Sequence, residues 1–126
     1  METAWMERTQ LLVGKKGIEK LLNADVLVVG LGGVGSYAAE AIARAGVGSM
    51  TIIDGDMVDP TNRNRQLQAL STTHGMSKAE LMEQRIKAIN PEINLTAIKE
   101  FQTPEMMKEI LKKKYTYIID AIDSIS

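Results

Sequence analysis

The sequence contains no cysteine, carries almost no net charge and has no long apolar run. The absence of cysteine excludes a disulfide framework, a CxxC zinc site and a thiol nucleophile within these 126 residues. The formal net charge of −1 gives no overall attraction to nucleic acid or membrane, so any RNA contact requires a local basic patch. Because there is neither a signal-peptide core nor an apolar segment of bilayer length, we expect a soluble, cytoplasmic protein.

What is present is the composition of one globular domain, with 44% hydrophobic and 25% charged residues. Aliphatic runs that predict strands alternate with stretches that have helical spacing and helix caps. The last predicted helix is expected to bury Met107, Ile110 and Leu111. The predicted strands cover residues 24–30, 49–54, 93–97 and 115–120, and the predicted helices cover 34–45, 66–70, 77–90 and 103–111.

This alternation predicts an α/β fold, namely a doubly wound, mostly parallel, Rossmann-like sheet with helices on both faces. Ligands of such folds bind at the carboxyl ends of the strands, and Asp54, Asp56 and Asp123 lie at or just after those ends. An open sheet edge is a liability that a complete domain covers. We therefore expect residues 1–126 to be the N-terminal part of a larger domain.

A glycine-rich segment between the first predicted strand and helix fits the pattern G-x-G-x-x-G. Gly30, Gly32 and Gly35 occupy its three places, and Gly33 is an additional glycine. Glycines permit a tight turn and a close approach of phosphate to the backbone, and the N–H groups of the following helix face that phosphate. The position after a strand and before a helix favours nucleotide binding over a merely structural turn.

Asp54 ends the second predicted strand, where an acid accepts hydrogen bonds from ribose hydroxyls in dinucleotide folds. That feature alone suggests NAD. The polar segment beyond it contains Arg65, and Lys78 follows, although spacing alone leaves both open to being ordinary surface charges. Hydride transfer requires no such cations, whereas expulsion of pyrophosphate does, because charge develops on the leaving group. These residues favour ATP over NAD.

Two further residues have weaker signals. Asp123 follows the fourth predicted strand, which is expected beside the first, so its carboxylate is a candidate magnesium ligand. His74 is the only histidine and lies in a Thr-Thr-His-Gly turn, where a surface position is more plausible than a role as general base.

Together, the glycine segment, Asp54-Gly55-Asp56, residues 62–66, Lys78 and residues 120–123 resemble the HesA/MoeB/ThiF adenylating family, relatives of ubiquitin-activating enzymes. The resemblance extends over nearly the whole chain. Residues 60–70, 78–80 and 89–92 are most similar to the branch of tRNA threonylcarbamoyladenosine dehydratases. Two positions depart from that branch: Gln68 stands where histidine is frequent, and Pro60 replaces the commoner valine.

The resemblance implies an ATP site and assigns roles to its residues. Lys78 and Arg65 would act on the phosphates as catalytic residues together with Asp123, which would position Mg²⁺. Arg8 matches an arginine that family dimers insert into the partner's ATP site, so a homodimer with Arg8 acting in trans is implied. The residues expected to bind the nucleotide are Gly30, Gly32, Gly33, Val34, Gly35, Asp54, Asp56, Asn62, Arg65, Gln66 and Lys78.

In the dehydratase branch, a carboxylate on tRNA attacks the α-phosphate of ATP, and the acyl-adenylate then cyclises with loss of AMP. Positioning and charge stabilisation suffice for this reaction, which agrees with a site that has no nucleophile. A second hypothesis is adenylation of a ubiquitin-like sulfur carrier, with a sulfur carrier or a cysteine desulfurase system as partner. A non-catalytic module for dimerisation and nucleotide binding, and an NAD-dependent oxidoreductase, are the lower-ranked alternatives.

Overall fold

A four-stranded parallel sheet with the strand order β3-β2-β1-β4 is the framework of the computed structural model, which describes residues 4–122. The strands are β1 (Asp25–Val29), β2 (Ser49–Ile53), β3 (Asn94–Ile98) and β4 (Tyr117–Asp120). The helices are α1 (Glu7–Leu22), α2 (Gly33–Ala45), α3 (Lys78–Ile89) and α4 (Pro104–Leu111), with short 3₁₀ turns at Ala4–Met6 and Pro60–Asn62.

The two faces of the sheet bury alternate residues of the central strands. On the α2–α3 face, Val26 and Val28 of β1 pack with small and aliphatic side chains of both helices. On the opposite α4 face, Leu27 and Val29 meet the partly buried Met107 and Ile110. Because helices cover both faces and every strand pair is parallel, the predicted doubly wound α/β fold is confirmed.

Local signals in the sequence account for three of the helix ends. Ser77 accepts a hydrogen bond from the Glu80 N–H at 3.2 Å, and Thr103 accepts one from the Met106 N–H at 3.2 Å. Gly46 ends α2 in the left-handed conformation with φ +95°, which glycine adopts without steric cost. These contacts fix where α3 and α4 begin and where α2 ends.

Three expectations were wrong or incomplete. Residues 66–70 form turns and irregular structure and not a helix, and the Thr73 hydroxyl bonds to the Leu70 N–H and the Gln68 carbonyl in place of helical hydrogen bonds. Leu111 is 47% exposed and no residue of α4 is fully buried, so the last helix covers the sheet only partly. The N-terminal helix α1, which bends at Gly14, was not predicted.

Within residues 4–122, no helix combines the length and the apolar composition needed to cross a bilayer.

Candidate functional site

A cavity of about 230 Å³ opens at the carboxyl ends of the central strands. Gly30 and Gly32 form one part of its lining, and Asp54 and Asp56 follow β2 into it. A second wall comes from the segment after β3 and from α4. Of the residues predicted for nucleotide binding, six line the cavity: Gly30, Gly32, Asp54, Asp56, Gln66 and Lys78.

At two positions of the glycine loop (Gly30–Gly35) the backbone leaves no room for a side chain, whereas a third position has room for a Cβ. A Cβ on Gly35 would lie 1.7 Å from the Gly30 carbonyl oxygen, and a Cβ on Gly30 would lie 2.8 Å from the Ala121 oxygen. Gly30 also has φ +93°. At Gly33 the nearest atom would be 3.7 Å away, on Arg65, which is ordinary contact. The loop is therefore tight where it meets β4 and open beside Arg65.

The start of α2 carries no side-chain cap, so side chains leave its first N–H groups unsatisfied. Gly32, the residue before the helix, lines the cavity. The positive end of the helix dipole adds to these donors. An anionic group in the cavity would meet backbone N–H groups and the dipole together, which suits phosphate.

Asp54 holds the glycine loop as well as facing the cavity. Its Oδ2 accepts a hydrogen bond from the Leu31 N–H at 2.7 Å, and its Oδ1 accepts one from the Asp56 N–H at 2.7 Å. Each carboxylate oxygen has a further lone pair, so these bonds leave Asp54 able to accept from a ribose hydroxyl. Its predicted role in ribose binding stays a prediction.

The two predicted phosphate cations differ in their surroundings. Lys78 is only 6% exposed at the first position of α3 and lines the cavity. Its ammonium makes no hydrogen bond or ion pair among residues 4–122, although its charge acts on Asp59 at longer range. Arg65 is exposed and donates from Nη1 to the Thr61 carbonyl at 3.1 Å and to Asn64 Oδ1 at 3.0 Å. Because Lys78 lines the cavity and its ammonium is not held by a short contact, whereas Arg65 is bonded within its own loop, Lys78 is the stronger candidate for an anion-binding residue.

Asn62 and Gln66 are both buried, with 7% and 6% exposure, but they have different contacts. Asn62 Oδ1 accepts the Asp59 N–H at 2.8 Å, which shapes the loop, and Asn62 is not part of the cavity lining. The Thr61 hydroxyl and N–H donate to Asp59 and lower the pKa of its carboxyl. Gln66 Oε1 is buried without a partner at the cavity, where it can accept from a ligand.

The remaining predicted residues lie around the site or away from it. Val34 is 73% exposed at the start of α2, and Arg8 is exposed on α1, outside the cavity lining. Asp123, predicted as a magnesium ligand, lies outside the described residues. Among residues 4–122, no three acidic or histidine side chains gather into a metal site. His74 is exposed, as expected for a surface loop.

Sequence reasoning missed one wall of the cavity, which Phe101, Gln102 and Met107 provide. Phe101 follows the end of β3, so the strand-end argument that identified Asp54 applies to it equally. Met107 was interpreted only as a core residue of the last helix. The contact between Gln68 and the glycine loop was also missed, since no spacing rule relates positions 37 apart.

Comparison with known proteins gives a consistent result. Residues 6–126 match the model of the ThiF family. The chain is 47% identical over 125 residues to the tRNA threonylcarbamoyladenosine dehydratase of Escherichia coli K12, covering 97% of this chain and 47% of that protein. The Bacillus subtilis 168 enzyme of the same name is 50% identical over 118 residues, covering 94% of this chain and 46% of that protein.

Among solved structures, the E. coli tRNA N6-threonylcarbamoyladenosine dehydratase in complex with ATP superimposes with a TM-score of 0.91 at 46% identity. The match covers 98% of this chain and 52% of that chain. The chain thus spans about half the length of these relatives. Because the family model matches almost the entire sequence, this chain belongs to the ThiF family.

Proposed function

We propose that this chain forms the nucleotide-binding part of an enzyme that uses ATP to adenylate a carboxylate. The observation that carries the proposal is Lys78, a residue only 6% exposed that lines the same cavity as the glycine loop and whose ammonium makes no hydrogen bond or ion pair among the described residues. A cation that lines the same cavity as uncapped helix N–H groups favours an anionic ligand there. A polyphosphate supplies that charge.

The described residues fit ATP in three respects. The glycine loop offers backbone N–H groups to phosphate oxygens, and a Cβ at Gly30 or Gly35 would distort it. Gln66 Oε1 and Asp54 offer acceptors for the hydroxyl and amino groups of a nucleoside. Lys78 lines the cavity, and Arg65 lies beside Gly33, the first residue of α2. Both side chains would neutralise the charge that grows on the departing pyrophosphate.

Magnesium is a separate part of the proposal. Residues 4–122 contain no group of three acidic or histidine ligands. The described residues alone do not fit a resident magnesium site, so no step of the mechanism depends on one. Asp123 as a ligand, with phosphate oxygens supplying further coordination, stays a prediction.

We further propose that the carboxylate belongs to threonylcarbamoyladenosine in tRNA, as in the named relatives. Positioning such a substrate beside the nucleotide requires no nucleophile from the chain, which agrees with the absence of cysteine. A ubiquitin-like sulfur carrier, with or without a cysteine desulfurase partner, is the alternative substrate that the experiment below separates from tRNA. A cytoplasmic location stays a prediction.

The assembly we propose is a homodimer in which Arg8 reaches the partner's site. Its support is the exposure of apolar side chains near Arg8 on α1, since Leu11 is 83% and Leu12 86% exposed. We also propose that residues 1–126 are the N-terminal part of a larger domain. In β4, an edge strand of the described sheet, Tyr117 is 70% and Ile118 53% exposed, as expected for a strand that another element covers.

The decisive experiment uses the full-length product of the reading frame that contains these residues. AMP formation from ATP is measured with tRNA bearing threonylcarbamoyladenosine, with a ubiquitin-like sulfur carrier, and with neither. We expect tRNA-dependent AMP formation that falls at least about a hundredfold in Lys78→Met. Lys108→Met, at an exposed position of α4, is the matched control and should retain activity.

Four outcomes are informative. Stimulation by the sulfur carrier alone would select the alternative substrate. ATP binding with no AMP formation under any condition would indicate a non-catalytic module, and binding of NAD in preference to ATP would overturn the adenylation proposal. Equal activity of Lys78→Met and the wild-type protein would contradict the role given to Lys78.

A further inference from the structure

We propose that Gln68 is a positioning residue that orients the Gly32 N–H toward the phosphate of a bound nucleotide. The proposal deepens the function proposed above and rests on it for the identity of the ligand. It starts from a contact between two distant segments: Gln68 Nε2 donates to the Leu31 carbonyl at 2.7 Å across 37 positions of sequence. Both partners are buried, with 5% exposure for Gln68 and 0% for Leu31.

The Leu31 residue is held from two sides. Asp54 Oδ2 accepts from its N–H at 2.7 Å, and Gln68 donates to its carbonyl. In a planar trans peptide, the carbonyl of one residue and the N–H of the next point in opposite directions. Anchoring the Leu31 carbonyl on Gln68 therefore fixes the direction of the Gly32 N–H. That N–H has no acceptor within residues 4–122, and Gly32 lines the cavity.

This anchor matters because Leu31 lies between two glycines. Gly30 and Gly32 have no Cβ, so rotation of the peptides around Leu31 meets little steric resistance. A hydrogen bond to a buried carbonyl supplies the restraint that side-chain sterics do not. Without it, the Leu31 carbonyl would be buried and unpaired, and turning it toward the cavity would turn the Gly32 N–H away.

Gln68 is itself held in place. The Thr73 hydroxyl donates to the Gln68 carbonyl at 2.8 Å and accepts from the Leu70 N–H at 2.8 Å, which closes the turn after Gln68. A second link lies one residue earlier, where the Leu67 N–H donates to Ser36 Oγ at 3.3 Å. Ser36 Oγ in turn donates to the Gly32 carbonyl at 2.6 Å.

The two links join the glycine loop to the segment that carries Arg65 and Gln66. Gln68 bonds directly to the Leu31 carbonyl. Leu67 is linked to the Gly32 carbonyl through the Ser36 hydroxyl. The backbone donors and the side chains of the phosphate site are thus fixed relative to one another. Preorganised donors cost no rearrangement when the anion binds, which strengthens binding.

Substitutions at Gln68 separate the effect of losing the hydrogen-bond donor from the effect of changing the size of the side chain. Gln68→Met keeps the length of the side chain and removes the donor, Gln68→Glu keeps its shape but replaces the donor with a carboxylate, and Gln68→His restores an N–H donor. Gln84→Met makes the same change as the first variant at an exposed position of α3 and is the matched control. All are made in the full-length protein.

ATP affinity is measured by isothermal titration calorimetry, and amide hydrogen exchange is measured without nucleotide. We expect Gln68→Met and Gln68→Glu to bind ATP about tenfold more weakly, the loss of one buried hydrogen bond, with Leu31 amide exchange accelerated by about the same factor. Gln68→His should stay within about threefold of wild type in both measurements. Gln84→Met should match wild type, and α3 amides should exchange at wild-type rates in every variant.

The exchange measurement keeps this inference apart from the proposed function. If the wild-type protein binds no ATP, the proposed function fails, while Leu31 exchange still shows whether Gln68 fixes the loop. If Gln68→Met fails to fold, the contrast between Gln68→Glu and Gln68→His decides in its place. The inference would be overturned if Gln68→Glu kept both the ATP affinity and the Leu31 amide exchange rate of the wild-type protein. It would also be overturned if Gln68→His bound ATP tenfold more weakly.

Discussion

The two faces of the sheet are covered unequally. The α2–α3 face is a continuous buried cluster that includes Met50, Ile52, Met82 and Ile86, each no more than 1% exposed. On the α4 face, the buried cluster contains only Leu27, Val29 and Ile53, and the helix above them has no fully buried residue. The same strands therefore support a close-packed side and a thinly covered side.

The candidate site is attached to the close-packed side. Leu31 of the glycine loop and Ala79, which follows Lys78, both belong to the α2–α3 cluster. The opposite wall comes from the thinly covered side, where Phe101 is 72% exposed. The elements proposed to hold phosphate are thus rigidly supported, while the other wall has room to adjust to a substrate or to a covering element.

Gly35→Ala should have the largest effect on stability, because it forces a Cβ into the close-packed side. That atom would lie 1.7 Å from the Gly30 carbonyl oxygen, so the backbone of the loop or of α2 must shift. We expect a loss of about 5 kcal/mol in the free energy of unfolding, or failure to fold. Gly33→Ala, two residues away with its nearest contact at 3.7 Å, should change it by less than about 1 kcal/mol. Chemical denaturation followed by circular dichroism measures both, and equal losses would contradict the steric argument.

Ile52→Ala and Ile53→Ala compare the two faces directly, since these neighbours in β2 point to opposite sides. Both side chains are at most 3% exposed. We expect Ile52→Ala to lower the free energy of unfolding by about 4 kcal/mol, because its close-packed neighbours cannot move into the space that the side chain vacates. Ile53→Ala should cost about 2 kcal/mol, because the partly buried Ile98, Met107 and Ile110 can move inward. Urea denaturation tests this order, and a larger loss for Ile53→Ala would refute the view that the α4 face is the more adaptable one.

The same contrast explains how much of the fold the sequence predicted. The elements β1, α2 and β2 were predicted to within one or two residues, because their patterns and end signals are local and both faces of these strands are buried. On the α4 face, periodicity correctly placed Met107 and Ile110 against the sheet but overestimated the burial of Leu111. Spacing shows which residues share a helix face, and it does not show how much of that face a neighbour covers.

The candidate site was predictable where its residues follow strands or glycines. Gly30, Gly32, Asp54 and Asp56 were placed at the cavity by that reasoning. The hydrogen bond from Gln68 to the Leu31 carbonyl was not predicted, because it depends on where a loop without regular structure passes the glycine loop. The helix expected at 66–70 was wrong for the same kind of reason, since the Gln68 side chain and the Thr73 hydroxyl hold this segment by long-range and turn contacts that helical spacing does not show.

Lys78→Met tests the energetic cost of the site within the close-packed side. Lys78 is only 6% exposed and its ammonium makes no hydrogen bond or ion pair among residues 4–122, so desolvation of its charge opposes folding. Methionine keeps the apolar stem without the charge, and we expect the free energy of unfolding to rise by about 1 kcal/mol in the absence of nucleotide. Adding ATP should stabilise the wild-type protein more than the variant. Thermal denaturation with and without ATP measures both effects, and a marked loss of stability would mean that Lys78 has a structural partner.

The smallest effect is expected at the outer surface of the close-packed side, where Glu40 of α2 pairs with Arg85 of α3 and with Arg44 Nε at 3.4 Å. The hydrogen bond from Arg85, opposed by burial, is the main reason that the pKa of Glu40 lies below its ordinary value of 4.5. A lowered folded-state pKa contributes stability above the unfolded pKa, and that contribution is lost as the pH falls through the folded pKa. Since both arginines are largely exposed, Glu40→Gln should cost only about 0.5 kcal/mol at neutral pH, and the difference from wild type should shrink as the pH falls below 4.5. Urea denaturation at several pH values, with Glu19→Gln on α1 as control, measures it, and a pH-independent difference would show that packing and not the ion pair joins α2 to α3.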